Sequence, residues 1–132
     1  MKKSKSLPKL KAELQRTFNE FIRLRDKGKP CISCGQPKDY LQAGHFYSVR
    51  MYDGLRFNEK NCHGECAGCN GFDDMHLLSY TANLIDRIGE YEYQMLKFQA
   101  EAYKKYGYKW SRLELIGLIE EYKEKVKLLK NN

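Results

Sequence analysis

The sequence predicts an α+β domain, small and mostly helical, organised around a zinc-stabilised centre. Three observations carry this prediction. Both ends of the chain place apolar residues at helical spacing. Four of the five cysteines fall into two Cys-x-x-Cys pairs in an irregular middle. Short β-favouring runs lie between those pairs. The 132 residues are the length of one domain, and 42% hydrophobic with 31% charged residues is a globular balance.

Residues 1–8 read as a basic, disordered tail ending at Pro8. A basic helix follows within residues 9–28, where Leu10, Leu14, Phe18 and Phe21 share one stripe and Gly28 with Pro30 marks the end. Residues 29–75 form the zinc-bearing centre. Within it Tyr40 to Val49 is a first candidate strand, and Leu55-Arg56-Phe57 a second, after an Asp53-Gly54 turn. Residues 76–132 read as helices. One buries Leu77, Leu84, Ile85 and Ile88; the next buries Tyr91, Met95, Phe98 and Ala102. Ser111 and Glu114 form a capping box that opens the last helix. Its seam of Leu115, Ile119, Tyr122, Val126 and Leu129 packs on another helix, either within the chain or across a homodimer.

The net charge of +7 resides in residues 1–30, where ten Lys and Arg face three acids. A cationic end on a balanced body suits a polyanion, either nucleic acid or an anionic membrane surface. No apolar run is long enough to span a membrane, and the N-terminus lacks the apolar stretch of a signal peptide. Reduced thiols are therefore expected, and they favour metal binding over disulfides. Cys31 with Cys34, and Cys66 with Cys69, supply the four thiolates of a closed tetrahedral zinc site. Such a site is structural, because no coordination position is left for substrate. Cys62 reads as a small buried residue rather than a ligand.

Between the knuckles lie Ala43-Gly44-His45 and Asn61-Cys62-His63, and Asn70 follows Cys69 directly. This constellation resembles the HNH or ββα-metal nuclease motif, and more narrowly the zinc-bearing endonuclease VII resolvases. A closer resemblance is to the NinG/Rap recombination proteins of lambdoid phages. It rests on the segments 25–31, 43–46 and 55–63 and on Cys69-Asn70. The resemblance implies an HNH-like core and a metal-dependent endonuclease that cuts branched recombination intermediates such as Holliday junctions and D-loops. The setting it implies is the cytoplasm of a bacterial host, with phage recombination proteins as partners.

Carried onto this sequence, the family pattern makes His45 the general base, since a neutral imidazole can take a proton from water near neutral pH. A catalytic Mg²⁺ or Mn²⁺ would polarise the phosphate, with Asn70 offering a neutral oxygen to it. Asn61 would pin the loop and orient His45. One position departs from the pattern: the residue before the base, usually a metal ligand, is Gly44. His63 and then Asp74 are the candidates to replace that ligand. Arg50, Arg56, Lys9, Lys11 and Arg16 are candidate phosphate contacts, as are Lys2, Lys3 and Lys5 in the tail. His76 reads as surface or packing. The rival from another class is a non-enzymatic zinc module that binds branched DNA and recruits recombination proteins.

Overall fold

The computed structural model describes residues 4–71 and 74–132, the side chains of residues 74–76 apart. Along the chain run α1 (Leu7–Arg25), β1 (Gln42–His45), a single 3-10 turn (Asp53–Leu55), β2 (Cys62–Glu65), α2 (Asp74–Ile88), α3 (Glu90–Tyr106) and α4 (Arg112–Lys130). Among the described residues no helix is long and apolar enough to cross a membrane.

Helix α1 begins at Leu7 rather than after Pro8. Ser6 caps it, its Oγ accepting from the Lys9 N–H at 3.4 Å, and Pro8 lies in the first turn, where a missing N–H costs nothing. The described tail is therefore shorter than the expected 1–8. At the other end Gly28 adopts φ 88°, which reverses the chain toward the first cysteine pair.

The capping box at Ser111 and Glu114 is present, and α4 packs along α1 within the same chain. Leu10, Leu14, Phe18, Phe21 and Ile22 meet Leu115, Ile119, Tyr122 and Val126, with Phe57 and Cys62 closing the cluster. Phe18 lies edge-on to Tyr122 at 5.1 Å and to Phe57 at 5.9 Å. The α4 seam is thus occupied by α1, and a homodimer would need a different surface.

A second core lies between α2, α3 and the central loops: Ile32, Leu55, Tyr80, Leu84, Leu96 and Ala100. The stripe expected to be buried on α3 faces outward, with Tyr91 72% and Phe98 67% exposed. Helix α3 carries two apolar faces, and the one with the small Ala100 gives α2 the closer approach. In α2 the expected Leu77 is likewise exposed, and Tyr80 takes the buried place with Leu84.

The two strands form an antiparallel hairpin in the register Gln42↔Glu65, Ala43↔Gly64, Gly44↔His63 and His45↔Cys62. Leu55-Arg56-Phe57 is not a strand. Leu55 enters the second core and Phe57 the first, so the chain must turn between two residues that a strand would point to one side. The hairpin stands between the cores. Ala43 and Cys62 face α1 and α4, whereas Gly44 and His63 face α2, where the Tyr80 hydroxyl donates to the Gly44 carbonyl at 2.7 Å.

Candidate functional site

The first knuckle is tied to β2, because the Ile32 N–H donates to the Gly64 carbonyl at 3.0 Å. The second follows β2 directly. Together they gather Cys31, Cys34, Cys66 and Cys69 so that the four Sγ atoms lie within 4.8 Å of one another. Cys34 and Cys66 are 4.0 Å apart, near the ~3.8 Å edge of a tetrahedron with Zn–S of about 2.3 Å. The donor set and spacing fit a zinc ion. Burial works against ionising Cys31, but N–H groups of Cys66, Cys34 and Ser33 outweigh it and bring that thiol down to about 7. Burial and the neighbouring sulfurs push Cys69 up, so a cation is needed before all four can ionise together. Cys62 stands apart: it is fully buried in the first core, and burial pushes its thiol up.

Under the knuckles lies a buried charge that sequence reasoning missed. Asp26 accepts from Arg25 Nε at 2.7 Å and Nη2 at 2.9 Å, and from the Gly64 N–H at 2.7 Å. Arg25 continues to the carbonyls of Glu59 and Cys62 at 2.9 and 2.8 Å. Burial would raise the Asp26 carboxyl, yet Arg25 and the Gly64 amide hold it below its ordinary range. This pair fastens the end of α1 to β2. The adjacent Arg25-Asp26 at a helix end was its one signal in the sequence.

His45 ends β1 and is half-buried. Its Nε2–H donates to the Arg56 carbonyl at 3.0 Å, and Nδ1 has no hydrogen-bond partner among the described residues. Burial lowers its pKa; the Arg56 carbonyl opposes this, and the Arg56 cation adds to it. The ring is therefore neutral at pH 7, with its accepting nitrogen on Nδ1.

Asn61 is fully buried and pins the loop: its Oδ1 accepts from the Tyr47 N–H at 2.8 Å, and its Nδ2 donates to the carbonyls of Tyr47 and Leu55 at 3.0 and 3.2 Å. The His45 tautomer is set by the Arg56 carbonyl rather than by this amide. Asn70 donates through Nδ2 to Gln42 Oε1 at 2.8 Å. Gln42 lies three residues from His45, about 10 Å along the strand, and on the opposite face. The structure therefore brings His45 and Asn61 to one loop and leaves Asn70 at the other end of β1.

His63 is 3% exposed, its Nδ1 is buried without a partner, and its ring meets Tyr80. Burial, reinforced by Arg25, brings its pKa down to about 3, so it is a neutral interior group rather than a solvent-facing one. The Asp74 and His76 side chains lie outside the described residues, as do Lys2 and Lys3. The space at Gly44 is taken: a Cβ there would fall 2.3 Å from Glu65 Oε1 and 2.8 Å from Glu65 Cβ. Glu65 is fully buried and bonded to Ser33, and no motif in the sequence singles it out. Among the described residues the four cysteines are the one cluster suited to a metal; no second cage of His, Cys, Asp and Glu forms beside His45.

The expected phosphate contacts divide. Lys9, Arg16 and Arg50 are exposed. Lys11 and Arg56 instead bind Asp53, at 2.6 and 2.7 Å, and brace the 3-10 turn against α1.

The family model for the bacteriophage lambda NinG protein matches residues 1–132. The chain is 34% identical to the ninG protein of Escherichia phage lambda and 32% identical to that of Salmonella phage P22, each over 121 residues. Both matches cover 91% of this chain and 57% of the relative. The ninG protein of Enterobacteria phage H19B is 39% identical over 79 residues, which is 59% of this chain and 39% of that protein. The chain thus spans little more than half the length of the curated relatives it matches. No solved structure matches it.

Proposed function

The chain belongs to the bacteriophage NinG family, and from that premise we propose that it is a zinc-supported DNA endonuclease of branched recombination intermediates, with His45 as its general base. The observation that carries the reading is the state of His45: a neutral ring whose Nε2–H is spent on the Arg56 carbonyl and whose Nδ1 is left to accept a proton.

In this reading zinc joins the two knuckles through Cys31, Cys34, Cys66 and Cys69 and keeps the hairpin in register. Water attacking a phosphodiester gives its proton to His45 Nδ1. The Arg56 carbonyl keeps the proton already on Nε2 in place and stabilises the imidazolium that forms. Burial and the Arg56 cation disfavour that charge, which favours prompt return of the proton to solvent or to the leaving oxygen. Asn61 holds the loop from which the Arg56 carbonyl is presented. A divalent ion, Mg²⁺ or Mn²⁺, belongs to the proposal through the resemblance, and it would stabilise charge on the phosphate. The described residues form no cage for it, and the proton transfer at His45 stands without one. Branched DNA, host cytoplasm and phage recombination proteins enter on the same footing.

The test is a labelled four-way junction incubated with the zinc-loaded protein and Mg²⁺ or Mn²⁺. Cleavage is expected, falling about 10²- to 10⁴-fold in His45→Ala, the usual worth of a general base. Cleavage rises with pH only until His45 is neutral, so the profile levels off below the ordinary histidine pKa of about 6.5. Binding of the junction with no cleavage above the His45→Ala level would support the non-catalytic DNA-binding module instead. The filled space at Gly44 and the bond between Asn70 and Gln42 favour that second reading.

A further inference from the structure

Residues Lys9, Arg16, Arg23 and Lys27 follow one another at steps of seven, seven and four, which places them on one face of α1 and the turn beyond it, opposite the buried stripe. Two acids share this face, and both are already paired from outside it. Glu13 holds Lys5 and Lys123, and Glu20 lies 3.5 Å from Lys130. Among the described residues no carboxylate pairs with Lys9, Arg16, Arg23 or Lys27. From Lys9 to Arg23 the row is about 21 Å long at 1.5 Å per residue.

The row runs into a cleft of about 290 Å³ between the end of α1, the loop after the first knuckle and the end of α4. Arg23, Lys27, Lys38 and Lys130 line it against Glu20 and Asp39. Leu24 and Leu41 contribute apolar wall, and at its rim Tyr40 is 64% exposed with no ring partner among the described residues. A cationic row, an apolar cleft wall and a bare aromatic ring are the parts of a single-stranded nucleic-acid site: cations follow the phosphates and a base stacks on the ring. The cleft has room for one base and its sugar, not for a duplex.

We propose that the outer face of α1 guides one DNA strand into this cleft, where an unpaired base stacks on Tyr40. The proposal rests on the DNA-directed reading above and adds to it a second site, which selects substrates with an unpaired strand. Arg23, Lys27 and Lys38 hold the flanking phosphates, and Lys130 does so once the strand draws it from Glu20.

The test measures binding of the 132-residue, zinc-loaded chain to three fluorescent probes: a twelve-nucleotide dT strand, a blunt duplex of equal length and a four-way junction with a single-stranded arm. Tyr40→Ala is expected to weaken binding of the dT strand and the junction about tenfold and to leave the duplex within twofold. Tyr40→Phe restores both, since the ring and not the hydroxyl does the stacking. Replacing Arg23, Lys27 and Lys38 together with Gln flattens the log–log salt dependence on the dT strand by about 2, at roughly 0.7 for each phosphate. All four positions are partly or fully exposed, and an unchanged melting temperature verifies the fold. The proposal is overturned if Tyr40→Ala binds the dT strand like the parent chain, or if it loses duplex binding equally. A parent chain that binds none of the three probes defeats the DNA-directed reading itself, whereas intact junction binding indifferent to Tyr40 defeats only this site.

Discussion

Helices α1 and α4 meet along nearly their whole length, and four of the five seam residues of α4 are buried against α1, with Leu129 packed at the margin. Helices α2 and α3 share a smaller core and leave Leu78, Tyr91 and Phe98 at 70%, 72% and 67% exposure. The second core also depends on its surroundings, drawing Ile32 from the first knuckle and Leu55 from the 3-10 turn. One half of the molecule is therefore built mainly on a long helix pair, which Phe57 and Cys62 complete. The other takes its coherence from the cysteine cluster and from the loop pinned by Asn61.

The strongest way to break that contrast is to deny a metal to the four cysteines, the site proposed for zinc. Zinc binding in small domains is worth roughly 10 kcal/mol or more, comparable to the whole stability of a typical domain. A chelator, or Cys31→Ser, is expected to abolish cooperative melting. In hydrogen exchange the amides of α2 and α3 lose protection before those of α1 and α4. Simultaneous loss in both halves would contradict the asymmetry.

Truncating each core comes next. Phe18→Ala removes a fully buried ring that touches Phe21, Phe57 and Tyr122, and about 3–5 kcal/mol is expected from denaturant midpoints. Leu84→Ala in the second core should cost about 2–5 kcal/mol, toward the lower end if the less closed α2–α3 packing relaxes around the cavity.

Acid sharpens the contrast further. His63 faces α2, and its pKa is brought down to about 3 in the fold, against about 6.5 when unfolded. Below pH 6.5 the unfolded chain takes up a proton that the folded chain refuses. The stability held by neutral His63 is thus complete above pH 6.5 and drains away as pH falls toward 3, by a few kcal/mol in all. Asp26 and Asp53, held below their ordinary range, add losses once pH falls below their unfolded value of about 4. Replacing His63 with Phe should flatten urea midpoints between pH 6.5 and about 4.5 while leaving the steeper acid limb.

The smallest effect is expected on the outer stripe of α3, where Phe98→Ser should stay within about 0.5 kcal/mol. A larger loss would mean that this face is covered in solution, and a concentration-dependent melting temperature would identify the cover as another copy of the chain.

The same contrast explains what the sequence disclosed. The α4 seam has one apolar face, so its periodicity located the buried side. Helix α3 has two, and the stripe with the larger residues is the one left outside. Cys-x-x-Cys spacing is chemistry in a local turn and is readable without a fold. The position of β2 was hidden because His63 and Glu65 are polar residues buried in the fold, which defeats alternation as a signal. His45 and Asn61 stand out in the sequence only through the family resemblance, and the fold sets both on one loop. The separation of Asn70 from His45 was not legible, since it depends on strand parity, and the strand bounds had to be known first.

Glu65 and Gly44 have a consequence for how this family can vary. A side chain at 44 would compete with that of Glu65 for a single volume on one face of the hairpin, so the two positions together admit one carboxylate. Installing Asp at 44 demands Gly at 65 in the same step, because a Cβ at 44 falls 2.8 Å from the Cβ of residue 65 as well as against its carboxylate, and the double change should be tolerated where the single one is not. Residues 44 and 65 are therefore expected to drift as a linked pair.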